Sequence, residues 1–503
     1  MRHPSAKSSA LRSTSASLAL LLAGCALGPD YAPPAGPAGS QYETSALPAA
    51  TQKAEGRDGE AQRFTTGGDL PGEWWTLFHS SALDQLIRQA LANNPDIRAA
   101  EASLRQAQEL AVAQRGALLP QVDATAGRSR NRVSGASSGL PAFSSLYNLN
   151  NASVGVSYDL DLFGGTRRSI EAAEASSDYQ RWQRQATILS LTANIVTTAL
   201  QEASLRAQIK ATHEIVDAEA EQLRVVQSQF ELGGAAKTDV LAQASLLAQV
   251  RATLPGLEKQ LEQQRHLLAT LAGRTPAEGI EGTFDLDGLA LPSDLPVSLP
   301  AKLAEQRPDI QAAAANLHVA SAEVGVAMAA QWPKLTLSGS YGTAANDVSQ
   351  MFTSGAAMWS IGASVTQPIF HGGELGHRRA AAEAAFDAAK AQYESVVLNA
   401  LRNVADSLRA LQSDADALAQ QVAYFRSASD SLALAKQRYQ AGAISHLNLL
   451  DAERTEAQAR IALVQAQAAR LADSAALFQA LGGGWWNRPD NAPQPPDLID
   501  HIL

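Results

Sequence analysis

HRRAAAEAAFDAAKAQYESVVLNALRNVADSLRALQSDADALAQQVAYFRSASDSLALAKQRYQA, residues 377–441, runs for 65 positions without a Gly or a Pro. An apolar residue returns every seven positions along it: Val397, Val404, Leu411, Leu418, Phe425, Leu432 and Tyr439. A second seam at Leu401, Leu408, Ala415 and Val422 completes an a/d heptad and fades toward Ser429 and Lys436. A sustained seven-residue repeat keeps one stripe against a partner only if the helices supercoil, so this stretch predicts a coiled-coil helix. At 1.5 Å per residue it would be roughly 98 Å long, several times the thickness of a membrane. A second copy lies upstream. Thr166–Leu232 is 67 residues long, also free of Gly and Pro, with Ile188, Ile195, Ile209, Val216, Leu223 and Phe230 on one ladder and Glu202 as its polar rung. Two rods of this length predict a strut or a tube.

The rest of the composition agrees with close-packed helices. Only 5% of the 503 residues are aromatic, and Ala, Gln and Leu abound. The formal charge is −10, with no basic run and no basic stripe interleaved with aromatics, which argues against nucleic acid.

Residues 1–24 read as a signal peptide, with Arg2, Lys7 and Arg12 ahead of a short apolar core over Leu18–Ala23. Leu22-Ala23-Gly24-Cys25 resembles a bacterial lipobox, which makes Cys25, the one cysteine, the lipidation site and a covalent lipid the only attached group expected. Several acyl chains anchor durably where a single one does not. Residue 26 is Ala rather than the Asp used for inner-membrane retention, which favours the outer membrane. Cleavage would leave the mature chain 37 basic and 50 acidic residues, a charge of −13. Residues 25–72, rich in Pro, Gly, Ala and Ser, then read as an extended tether.

From Trp74-Trp75 a short amphipathic helix carries Leu83, Leu86, Ile87 and Leu91; Asn94-Pro95 breaks it, and a further helix runs from about Asp96 to Leu118. The period then changes to two. Val122, Ala124 and Ala126 alternate with polar neighbours, and so do Ala152, Val154, Val156, Tyr158 and Leu160. Such strands suit either a transmembrane β-barrel or a hairpin packed on helices. The whole unit recurs about 210 residues later: Asn94-Pro95-Asp96-Ile97 as Arg307-Pro308-Asp309-Ile310, Pro120 as Pro333, Phe163 as Phe370, Gly233 as Gly442 and Gly273 as Gly483. Its second strand pair is Lys334–Gly342 and Trp359–Thr366. Four strands cannot close a barrel, and open edges do not survive in lipid, so a membrane reading requires several chains to share one barrel.

Each rod ends in a turn of small residues, Gly233-Gly234-Ala235 and Gly442-Ala443, and the returning helices are expected to start at N-caps near Thr238 and Ser445. The first return carries Pro255 and should kink or break there. The resulting division is a signal peptide (1–24), lipidated tether (25–72), first repeat (73–275), linker (276–304), second repeat (305–486) and Pro-rich tail (487–503).

Leu299-Pro300 through Arg307-Pro308-Asp309-Ile310, then Arg438-Tyr439-Gln440-Ala441-Gly442 with Leu449-Leu450-Asp451-Ala452, then Leu481-Gly482-Gly483-Gly484-Trp485 resemble the outer-membrane factors of tripartite efflux pumps, the TolC- and OprM-like family in its NodT-type lipoprotein branch. The resemblance spans Trp74 to Trp486. It implies a mainly α fold with a membrane β part. In a homotrimer, helices would form a periplasmic α-barrel and four strands per chain a 12-stranded outer-membrane β-barrel, with the linker in an equatorial belt. It also implies a passive, non-enzymatic conduit for small toxic compounds, lipid-anchored in the outer membrane. The partners would be a periplasmic adaptor (membrane fusion) protein and an inner-membrane RND-type pump. Gly233, Gly234, Gly442 and Ala443 would dock the adaptor. Leu447 and Asp451 match the positions at which OprM-like proteins narrow the periplasmic aperture, with Arg438 placed to latch the helices.

Those two residues lie four apart, hence on one helical face. Leu447 as coiled-coil core and Asp451 as a first-turn acid is the plainer reading of the same spacing. Thr238 and Ala242 stand at the corresponding positions of the first repeat, so one ring per chain is expected. Two further readings stay open: a conduit for exported protein, and a structural or adaptor coiled-coil lipoprotein. No nucleophile stands beside a base, and His213-Glu214 lacks the second His of a zinc helix. Which substrates pass is not written in the sequence.

Overall fold

The computed structural model describes residues 26–37, 39, 41–134 and 145–488. Among them the elements in order are β1 (Arg63–Thr66), a 3₁₀ turn (Trp74–Phe78), α1 (Ser81–Asn93), α2 (Pro95–Arg115), β2 (Gln121–Val133), β3 (Ser145–Leu160), α3 (Gly165–Glu231), α4 (Lys237–Arg251), α5 (Leu254–Leu271), β4 (Asp294–Val297), α6 (Pro300–Gln306), α7 (Pro308–Ala329), β5 (Lys334–Ala345), β6 (Ala357–Thr366), α8 (Glu374–Gln440) and α9 (His446–Ala480). The mainly helical, internally duplicated fold expected from the heptads is the one found. The two long helices, α3 and α8, are each 67 residues. Their first residues, Gly165 and Glu374, and their last, Glu231 and Gln440, are both 209 positions apart. The helix therefore begins three residues before the predicted start and accommodates Gly376 within its first turn.

The contacts divide the chain into two compact units. Among the described residues, one comprises those within 26–34, 103–180 and 312–393; the other comprises those within 35–102, 181–311 and 394–488. The first holds a four-stranded antiparallel sheet in the order β2-β3-β5-β6. Its register sorts side chains by face. Val122↔Val156, Ala124↔Val154, Tyr158↔Leu337, Leu335↔Val365 and Tyr341↔Trp359 lie on one side, whereas Thr125↔Ser153, Ser338↔Gly362 and Ser340↔Ser360 lie on the other. On the polar side the hydroxyls of Thr125 and Ser153 are 3.0 Å apart and those of Ser340 and Ser360 2.8 Å. The apolar side is bare: Tyr341 is 66% exposed, Trp359 73% and Ile361 83%. A soluble sheet would cover that face; this one presents it.

The second unit holds the densest core. Trp74 is fully buried between Phe78 (6.5 Å between ring centroids) and Phe478 (5.8 Å). On α8, Val404, Leu411 and Leu418 of one seam and Leu408 and Ala415 of the other are buried, while Phe425, Leu432 and Tyr439 are only half-buried toward the tip. Glu202, the polar rung of α3, is completely buried, and its Oε1 accepts from Arg265 at 2.8 Å.

Two expectations are corrected, and one pair of alternatives is decided. The first return breaks rather than kinks, both having been expected at Pro255: α4 stops at Arg251 and α5 begins at Leu254, so Pro255 occupies its opening turn, where no backbone donor is needed. Its N-cap is Ala236, not Thr238, because the Asp239 carboxylate reaches back to accept from the Ala236 backbone N–H at 3.1 Å. Ser445 does occupy the N-cap of α9, although its hydroxyl caps nothing. The helix-end glycine of the first repeat pairs with Gly482 rather than Gly483. Gly273 donates to Thr270 and Gly482 to Gln479, each at 3.0 Å and with φ of +75° and +97°.

The stretch read as a tether is not simply extended. β1 pairs in parallel with β4 of the linker, Arg63↔Asp294 through Thr66↔Val297. The fully buried Arg470 of α9 holds this layer from behind: its guanidinium donates to the carbonyls of Asp58 and Glu60 (3.1 Å) and to Gln62 Oε1 (3.1 Å).

Candidate functional site

Both tips are built alike. At the end of α3, Gly233 N–H donates to Phe230 O (3.0 Å) and Gly234 N–H to Gln229 O (2.7 Å). At the end of α8, Gly442 N–H donates to Tyr439 O (2.9 Å) and Ala443 N–H to Arg438 O (2.8 Å). These are Schellman closures, which need a left-handed residue, and φ is +80° at Gly233 and +69° at Gly442. A Cβ added at either would meet nothing within 4 Å, so the conformation alone demands glycine and the space outside is empty.

Just beyond, α9 presents two different faces. His446, Leu449, Leu450 and Glu453 are buried, whereas Leu447 is 71% exposed and Asp451 is exposed. The two predicted gate residues thus share an outward face and are not coiled-coil core within the chain. Arg438 is exposed in the last turn of α8 and makes no ion pair among the described residues.

Sequence reasoning missed what lies behind this face. Tyr439 Oη donates to Gln229 Oε1 at 2.9 Å, and its ring lies 5.4 Å from that of His446. His446 has no hydrogen-bond partner at either ring nitrogen among the described residues, and burial pushes its pKa down, which favours the neutral ring. Gln243 of α4 donates to the buried Glu219 of α3 at 2.5 Å. Burial, reinforced by the nearby Glu219 carboxylate and opposed by Lys436, pushes Glu453 up to about 8. Glu219 is raised as well, chiefly by burial. The sole hint in the sequence was acids on the apolar stripe of an otherwise Ala-rich helix.

Cys25 lies outside the described residues, but the segment that follows it is held firmly. Leu27 N–H donates to Phe163 O at 3.1 Å, at the point where β3 gives way to α3. The buried Arg168 guanidinium donates to Leu27 O (3.2 Å), Asp30 Oδ1 (2.8 Å) and Glu171 Oε2 (2.7 Å). His318 of α7 lies 2.9 Å from Glu171 Oε1 and stacks at 4.1 Å on Tyr31, whose hydroxyl donates to Ala314 O at 3.1 Å. Gly28, at φ +102°, lies so close to Gly325 that a Cβ would come within 2.5 Å of its Cα. A helical glycine opposite a tether glycine is a signal legible only in retrospect.

Among the described residues no group of three or more His, Cys, Asp or Glu is placed to hold a metal ion. None of their helices is long and apolar enough to cross a membrane.

A family model described as outer membrane efflux protein matches residues 86–274 and 299–483, one block per repeat. The probable efflux pump outer membrane protein TtgC of Pseudomonas putida is 30% identical over 479 residues, which cover 95% of this chain and 96% of the relative. The pyoverdine export outer membrane protein OpmQ of Pseudomonas aeruginosa is 35% identical over 418 residues, 82% of this chain and 87% of the relative. The solved outer-membrane channel OprN superposes with a TM-score of 0.81 at 30% identity, covering 92% of this chain and all of that one. The chain belongs to the outer membrane efflux protein family: it is the outer-membrane channel of a tripartite efflux system, working as a trimer with an adaptor protein and an inner-membrane pump.

Proposed function

We propose that the channel is a passive conduit narrowed at its periplasmic end by rings of Leu447 and Asp451, and that small toxic organic compounds are its cargo. The observation that carries this is the outward face of α9, where a large apolar side chain and a carboxylate stand exposed one turn apart while their neighbours are buried. Threefold symmetry repeats each residue three times around the axis. A leucine ring excludes water and ions, and a carboxylate ring favours cations over anions. Arg438 pairs across the seam between chains. An exposed pair of this kind is worth about 0.2–1 kcal/mol, so the latch is weak singly and acts as a set. The four tip residues Gly233, Gly234, Gly442 and Ala443 receive the adaptor, and a lipid on Cys25 tethers the chain beside the barrel it helps to form. The test is conductance in planar bilayers. Leu447→Ala with Asp451→Ala should raise single-channel conductance and let large antibiotics leak inward; unchanged conductance would leave both residues a structural role.

A further inference from the structure

The sheet carries a charged feature that efflux does not use. On β2 the residues sharing a face with Val122, Ala124 and Ala126 are, farther along, Arg128, Arg130 and Arg132, whose cross-strand partners are Asn150, Asn148 and Leu146. All three arginines are exposed, and none has an ion pair or side-chain hydrogen bond among the described residues. Three cations thus continue an apolar stripe. Their spacing of two residues places them roughly 7 Å apart along the strand.

Their height follows from the register. Leu160 pairs with Leu335, and Asn150, which faces Arg128, pairs with Ala345. These two levels are ten residues apart on either strand. Ten residues are roughly 33 Å along a strand, and a tilt of ~40° leaves ~25 Å of height, the thickness of the apolar band of an outer-membrane barrel. At the Leu335 end, Phe163 stacks on Trp332 at 5.1 Å near the strand–helix junction. Arg128 therefore marks the opposite, outer edge of the band, and Arg130 and Arg132 stand above it at headgroup level. There a guanidinium finds its best partner in phosphate, which it can grip with two parallel N–H donors.

We propose that Arg128, Arg130 and Arg132 form a lipid-facing ladder that binds the phosphorylated headgroup of an outer-leaflet glycolipid. Charge complementarity and continuity with the apolar stripe both select that occupant, because one molecule with acyl chains below and phosphates above matches the stripe and the ladder together. The ladder would add a specific grip at the rim to the non-specific hold of the apolar band.

The test uses the detergent-solubilised trimer and lipid A carrying two phosphates, with occupancy read by native mass spectrometry. Replacing all three arginines with glutamine (R128Q, R130Q, R132Q) should weaken binding by on the order of a hundredfold, as expected for three basic side chains at an anionic surface. Dephosphorylated lipid A should bind the unaltered protein as weakly as lipid A binds the variant. Equal affinity of the two proteins would overturn the proposal, as would equal binding of the dephosphorylated lipid. Displacement of lipid A by excess inorganic phosphate would reduce the ladder to a general anion site and overturn it too. Dissociation of the variant trimer with lipid affinity unchanged would assign the arginines to the seam between subunits instead. The single change R130Q, which alters one exposed side chain, keeps the measurement available should the triple variant fail to assemble.

Discussion

Glu453 is buried behind the proposed gate, on the inward face of α9. Its folded pKa of about 8 lies well above the ordinary 4.5. A carboxyl raised in this way destabilises the folded arrangement once it ionises. The stability that neutral Glu453 contributes to the packing of α9 against α3 is therefore fully present below about pH 4.5 and is lost progressively as the pH rises through 8. Glu453→Gln should flatten that dependence, with amide hydrogen exchange over the first turns of α9 at pH 6 and pH 9 as the measurement; an unchanged pH profile would refute it. Glu202 and Arg265 make a different, asymmetric prediction. Removing Arg265 strands a completely buried carboxylate and should cost about 3–5 kcal/mol of stability. Glu202→Gln leaves a guanidinium that is 24% exposed and still hydrated, and should cost clearly less, as chemical denaturation can show. At this scale the sequence was readable only where a residue's role is local. Spacing of four puts Leu447 and Asp451 on one face, which is exposed as that spacing allows; Glu219, Gln243 and Glu453 come together from three helices, and no spacing along one helix reveals such a meeting.

Elements were far more legible, because a heptad repeat and a two-residue alternation are properties of consecutive residues. Both long helices and all four sheet strands lie where their periods put them, although β2 runs on to Val133 and β3 starts back at Ser145, seven residues past the alternation legible at Ala126 and Ala152; helix ends shifted by a few residues where capping decided. Thr238 looked like a cap by its type, yet Asp239 took that role from inside the helix, reaching back to Ala236. β1 and β4 were missed because four-residue strands inside Pro- and Gly-rich sequence carry too little pattern to register. The tip turns separate two causes by substitution. At Gly442, alanine adds only the strain of a left-handed residue, roughly 1–2 kcal/mol, with open space around the new methyl. Tryptophan adds bulk as well. Loss of adaptor binding with tryptophan but not with alanine, in a pull-down of the assembled pump, would establish the turn as a contact. Equal loss with both would reduce it to a helix cap.

For the whole molecule, the duplication was visible in the sequence, and so was the need for more than one chain. The clasp on residues 27–31 was not, since Arg168, His318 and Tyr31 come from segments hundreds of positions apart. That clasp makes a prediction about the anchor. Cys25→Ser should abolish acylation, seen by mass spectrometry of the mature N-terminus, yet leave residues 27–31 protected from protease. Arg168→Ala should expose them while acylation persists.

β2 and β6 are the two outer strands of a sheet whose apolar face is bare. A lone chain that had formed this sheet would be a sticky object in an aqueous compartment, with two strand edges ready to accept any passing segment. The expected outcome is that the sheet takes shape last, its edges closing only when three chains meet at the membrane. The yield of mature channel should then depend steeply on how many chains arrive together, so that halving the supply costs far more than half of the product.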